Sequence, residues 1–289
     1  MPFRAVHGDH AILEVVFQVT LDRPLLRPDI QALAARHPEV AEELPSARIA
    51  EQLQPVVDVA GGDVFIAQPV PGQGPPLTPV LEFAAFRRDG NVEWRLQCAG
   101  PLVTVNCTAY TRWERVWGRA QRYLSYVLSH PVDGEARRVQ RLLLQYIDLF
   151  TWQGDSGGYR IGDLIDLSSP LVPASLRERG TIWHLHQGWF TDPEELSPGL
   201  HVPVPAGKVL ERFHVDSVGG MVVGQSTPNL SVRIDNLIRY DLRTEERALA
   251  LLEDGGAGAI CFEAMHQLNK RRLVEFLTET TARGIGLRA

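Results

Sequence analysis

Residues 104–128, TVNCTAYTRWERVWGRAQRYLSYVL, constrain the fold more than any other segment, because a strand runs almost directly into a long amphipathic helix. Thr111 followed three residues later by Glu114 has the form of a capping box, in which the hydroxyl accepts from the N3 amide and the carboxylate accepts from the N-cap amide. Beyond it, Trp113, Val116, Trp117, Ala120, Leu124, Val127 and Leu128 recur at helical spacing as one apolar stripe. Arg112, Arg115, Arg119 and Arg122 occupy the opposite side. A helix of this kind must lay its stripe on a sheet, which predicts a layered α+β chain.

The 289 residues, 44% hydrophobic and 22% charged, can bury one large core or two ordinary ones and do not read as disordered. A net charge of −6 argues against bulk affinity for nucleic acid, while leaving room for a local basic patch. Only Lys208 and Lys270 among the 29 basic residues are lysines, a bias that reads as genome composition. Cys98, Cys107 and Cys261 lack CxxC spacing and are expected to be inert buried thiols in a reducing compartment. No run reaches the ~18 apolar residues of a membrane helix, and the N-terminal residues lack the pattern of a secretory signal. A cytoplasmic protein without membrane association, and without a cofactor, is the expectation.

Along the chain, residues 10–21 read as a first strand and residues 29–36 as a short helix. Residues 41–80, rich in Pro, Gly and Gln, read as irregular surface chain. Residues 81–88 and 91–98 flank Asp89-Gly90, the signal for a two-residue type I′ hairpin. A third strand is expected over 102–107, before the helix. From about residue 137 the same order recurs. A strongly apolar strand spans 139–152, then come a Gly-rich turn, a short helical piece, and strands at 181–190, 209–217, 220–225 and 231–242. Helical regions close the chain at 244–253 and 262–280. Two similar α+β halves, 1–132 and 133–289, follow from this reading, with antiparallel sheets each covered by a long closing helix and an internal duplication as their origin.

Chemical candidates are few. His184 and His186 alternate with Trp183 and Leu185, so on a strand both imidazoles share a face; they could hold a metal with His201 or His214 as a third ligand. The row Arg112, Arg115, Arg119 and Arg122 could contact phosphates, or could be the solvated side of the helix. Glu14 and Asp148 are lone acids within apolar strands, one in the first strand of each half. As a pair at the junction of the halves they could serve acid–base chemistry or salt-bridge to an arginine. The GDSGG of residues 154–158 lacks the partners of a serine protease, and no glycine cluster precedes a helix in the manner of a nucleotide loop. No complete catalytic constellation is present.

Four stretches together resemble a sporadically distributed family of uncharacterised bacterial proteins of about this length: Ala11-Ile12-Leu13-Glu14, Tyr110 with Trp113 and Glu114, Leu144-Gln145-Tyr146-Ile147-Asp148, and His266 followed by Phe276. The family's pattern has a proline in the first of these and Arg and Asn where Gln145 and Asp148 stand. The resemblance implies no established activity. Its patchy distribution implies genes of bacterial conflict, hence a non-enzymatic accessory protein of a phage-defence or toxin-control system acting through a protein partner. The alternatives are a small-ligand or metal-binding protein, or an enzyme, with a site between the halves, and a nucleic-acid-binding subunit using the arginine row.

Overall fold

In the computed structural model the described residues are 2–53, 77–130, 137–179, 183–196, 207–217, 230–242, 248–253 and 255–287. Their elements, in chain order, are strands β1 (Phe3–Ala5) and β2 (Ile12–Leu21), helix α1 (Arg27–Ala35), strands β3 (Ser46–Leu53), β4 (Leu77–Phe86), β5 (Val92–Ala99) and β6 (Leu102–Cys107), and helix α2 (Trp113–Leu128). Then come β7 (Val139–Trp152), α3 (Ala174–Arg177), β8 (His184–Thr191), α4 (Pro193–Leu196), β9 (Gly207–Asp216), β10 (Ser231–Leu242), α5 (Ala248–Leu252), α6 (Ala257–Phe276) and α7 (Glu279–Gly284).

All the strands among the described residues belong to one antiparallel sheet, ordered β3-β4-β5-β6-β2-β7-β10-β9-β8, with β1 also paired to β7. The two sheets expected from the sequence are therefore a single one. Its middle is the β2/β7 pair, with β6 beside β2 and β10 beside β7. The strands expected at 102–107, 139–152 and 231–242 have the bounds foreseen. The expected strand at 220–225 lies outside the described residues.

Three local expectations change. Residues 46–53 form strand β3, whose Ala47, Ile49 and Ala50 pair along β4, so part of the stretch read as irregular is sheet edge. The β4/β5 hairpin has a three-residue loop: Arg87 N donates to Asn91 O at 2.8 Å, and Gly90, at φ 84°, donates to Arg87 O. Glycine's freedom at positive φ is what that position needs. Finally, α2 starts at Trp113 with Arg112 as its N-cap and no side-chain capping bond, so Thr111 and Glu114 do not form a capping box. One residue's shift puts Glu114 at the second helical position, from which the reciprocal bond is not made.

The stripe of α2 is buried as its spacing foretold except for Trp117, which is half-buried; Tyr123 and Tyr126 add to it, and the helix packs against β6 and α5. Leu124 is fully enclosed, so Leu124→Ala is expected to cost about 2–5 kcal/mol. The last long helix, α6, lies over β7 and β10 and begins five residues earlier than the sequence suggested. Cys98, Cys107 and Cys261 are free and buried, and burial pushes each thiol up to about 12.

The helix-covered side of the sheet holds two apolar clusters. Leu142, Leu144, Tyr146, Ile238, Tyr240, Phe262, Met265 and Leu268 belong to the first. Phe150, Val232, Ile234, Leu273 and Phe276 belong to the second. Between them each contributing element places a polar residue: Asp148 on β7, Asn236 on β10, Asn269 on α6, all at most 2% exposed. A polar seam thus crosses the core between the two clusters.

Candidate functional site

The seam opens into a cavity of about 390 Å3 at one end of the β2/β7 pair. Its walls come from four distant parts of the chain: the loop into β2 (His10, Ala11, Ile12), the approach to α2 (Tyr110, Trp113, Glu114), the middle of β7 (Tyr146, Asp148), and α6 (His266, Asn269, Lys270) with the tail at 285–287. A more open groove of about 480 Å3 continues between α2 and α6 and shares Trp113, Glu114, His266 and Lys270. Ala11, Ile12, Tyr110, Trp113, Glu114, Tyr146, Asp148 and His266, scattered along the sequence, all border this one cavity.

Asp148 is 1% exposed and its Oδ2 has no hydrogen-bond partner. Burial, with repulsion from Asp235 added, raises its carboxyl to about 7. Beside it Tyr146 joins the strand to α6. Its ring meets that of Tyr110 edge-on, centroids 6.4 Å apart, and Tyr146 Oη lies 2.7 Å from His266 Nδ1. Burial, with Lys270 adding its repulsion, lowers His266 to about 4, so the imidazole is neutral near pH 7. Its ring stacks on Trp113 at 4.2 Å between centroids, 5° from parallel, and the Trp113 indole N–H donates to Glu263. Behind this contact Asn236 Nδ2 donates to Asn269 Oδ1 at 2.8 Å, while Asn236 Oδ1 has no partner. His10, its ring 5.4 Å from that of Tyr110, leaves Nδ1 buried and unpartnered as well.

Glu14 and Asp148 are not a pair. Glu14 sits opposite Ile147 and Asp148 opposite Ile12, with an irregularity in β2 between Ile12 and Glu14. Cross-strand partners share a face and neighbours along a strand do not, so the two acids project to opposite sides of the sheet. Glu14 accepts from Asn106 Nδ2 at 2.6 Å on the side away from the cavity. Neither acid forms a salt bridge to an arginine among the described residues; the register, invisible before strand pairing is known, decides this.

The arginine row divides. Arg119 is half-buried: its guanidinium lies 4.7 Å from the Trp94 ring, bonds Tyr123 Oη at 2.6 Å and pairs with Glu43 at 2.9 Å. Arg122 also pairs with Glu43, at 3.0 Å. Arg112, on the cavity's rim, and Arg115 are exposed. Half of the proposed phosphate row is thus engaged in holding the 36–44 region to α2.

His184 and His186 do share a face of β8, both exposed, and His214 on β9 joins them. His214 Nε2 lies 3.2 Å from His184 Nδ1, and the His186 and His214 rings are 5.6 Å apart. Burial and the two neighbouring imidazoles lower His214. Among the described residues no group of three or more His, Cys, Asp or Glu is arranged to hold a metal ion. His201 lies outside the described residues. The same limit applies to spans: no helix among the described residues is long and apolar enough to cross a membrane.

Sequence reasoning found Asp148 but missed Asn236, Asn269 and His10. A polar residue at an inward position of an otherwise alternating strand was the available signal for Asn236, in SVRIDNLIRY, and the equivalent break in the apolar side of α6 was the signal for Asn269. No family model, curated protein or solved structure matches the chain.

Proposed function

We propose that this chain is a binding protein whose site is the junction cavity, and that it takes a small organic ligand which presents a hydrogen-bond donor to Asp148. The observation that carries the reading is the buried, unpartnered Oδ2 of Asp148 on the wall of a cavity of about 390 Å3. A buried acceptor left unmade costs about 1–3 kcal/mol, and a ligand donor would remove that cost. The volume is that of a small-molecule site, and such sites favour junctions between substructures. Convergence of the family-like residues on the same walls supports it further.

The role of such a receptor in a bacterial conflict system, in the cytoplasm and through a protein partner, is proposed on the resemblance alone. The fold's origin in a duplication of residues 1–132 and 133–289 is part of the same reading. It is supported by the mirrored order β5-β6-β2 and β7-β10-β9 about the central pair, each half continuing into a long helix.

The test is ligand release. Protein purified from its native host is denatured, and the small molecules set free from wild type and from Asp148→Asn are compared by mass spectrometry. A species stoichiometric with wild type and lost from Asp148→Asn is the expected result. Identical profiles, with no fraction of host metabolites raising the wild-type melting temperature, would overturn the reading.

A further inference from the structure

We propose that the ligand is an organic cation, an ammonium or guanidinium group, whose N–H donors are received by the Asp148 carboxylate. The inference rests on the binding role assigned above to the junction cavity. It follows from which buried atoms the seam leaves over. Tyr146 Oη is engaged with His266 Nδ1, and the Asn236 and Asn269 side chains bond each other. Of the three polar side chains of the seam, the unpartnered buried atoms are Asp148 Oδ2, on the cavity wall, and Asn236 Oδ1, behind it, both acceptors. Their strands are adjacent and both residues point to the helix side, with Asp148 opposite Ile234 and Asn236 opposite Tyr146. A group offering N–H donors matches the acceptor that Asp148 presents on the cavity wall; a carboxylate or phosphate does not.

The charges point the same way. Asp148 is acted on by burial and by the acid Asp235, and no basic side chain offsets either. Tyr110 and Tyr146 stay protonated, because burial drives both phenols upward. From α6, His266 is neutral at pH 7. The cations of the lining are the exposed Arg112 and the half-buried Lys270; with Asp148 ionised they are outnumbered by Asp9, Glu114 and Asp148. A cation beside Asp148 supplies the opposite charge that a buried carboxylate otherwise lacks.

N-butylguanidinium and N-butylurea form a matched pair of probes, nearly identical in shape and differing in charge. Their binding to wild type and to Asp148→Asn is measured by ligand-observed NMR or calorimetry at millimolar concentrations. On the proposal, wild type prefers the guanidinium at least about tenfold near pH 8, and this preference weakens about tenfold near pH 6, where Asp148 takes up a proton. Asp148→Asn, a substitution of equal size, abolishes the preference while remaining folded. Should the urea bind as well as the guanidinium, and lose affinity in Asp148→Asn, the cation falls while the cavity stands as a site for neutral ligands. Should neither probe bind wild type, the cation inference falls, and ligand release decides separately whether the cavity binds anything.

Discussion

The Tyr146 hydroxyl oxygen sits 2.7 Å from Nδ1 of His266, and this contact joins the central strand β7 to the last long helix at the level where the apolar core is interrupted. On one side of it the core is continuous with the α2 stripe; on the other it continues to Phe276. Two titratable groups flank the interruption, with shifts of opposite consequence for stability.

Asp148 is raised to about 7. The folded protein therefore holds a proton that the unfolded chain releases near pH 4, and stability falls as pH rises from about 4 through 7, by an amount on the order of 4 kcal/mol. Asp148→Asn removes this term. The variant is expected to be more stable than wild type near pH 8, as measured by urea unfolding of ligand-free protein; a variant less stable than wild type there would show the carboxylate to be favourably partnered.

His266 works in the other direction. Lowered to about 4, it stays neutral while the unfolded histidine gains a proton below about 6.5, so it costs stability on acidification, on the order of 3 kcal/mol by pH 4. The two slopes oppose each other between pH 4 and 6.5, and the contributions of these two groups largely cancel there. Asp148→Asn exposes a loss of stability on acidification; His266→Asn exposes a loss on raising the pH. Parallel profiles for the two variants would contradict the assignment.

Glu211 is fully buried on β9 and receives Arg272 through two bonds, Nε to Oε2 at 2.7 Å and Nη2 to Oε1 at 2.9 Å. Trp189 and Thr191 donate to it as well. Truncating one partner leaves a buried charge uncompensated, so Glu211→Ala is expected to cost about 3–5 kcal/mol. Denaturant unfolding checks this, and a loss below about 1 kcal/mol would mean that Arg272 finds water instead.

The arginine row separates by substitution. Arg119→Glu breaks the contacts to Glu43, Tyr123 and Trp94 and sets two acids side by side; a loss of about 1–3 kcal/mol is expected. Arg115→Glu, on the exposed side, should stay within about 0.5 kcal/mol of wild type. Melting temperatures of the two variants distinguish them, and a nucleic-acid test is clean only with Arg112 and Arg115.

Much of the architecture was legible because its signals are local. The stripe of α2, the apolar run of β7 and the alternation in β5 are set by periodicity within one element. β3 escaped notice because Ser46 to Leu53 has neither a strong alternation nor flanking turns of a definite type; its pairing with β4 makes it a strand. The site was legible only in pieces. Asp148 stands out as an acid in an apolar strand, but that it meets His266, Asn269 and Tyr110 rather than Glu14 depends on strand register and helix placement, which no single segment encodes. Likewise nothing near Arg119 in sequence announces Glu43, which is 76 residues away.

The most direct measurement is the titration of Asp148 itself, followed by the carboxyl carbon resonance in protein labelled at aspartate and assigned by its absence from Asp148→Asn. The account predicts a midpoint near 7 in the free protein and a fall in that midpoint when N-butylguanidinium is added. A midpoint near the ordinary value of about 4 in the free protein would contradict it, because the carboxyl would then already be solvated or partnered and would have nothing to offer a ligand.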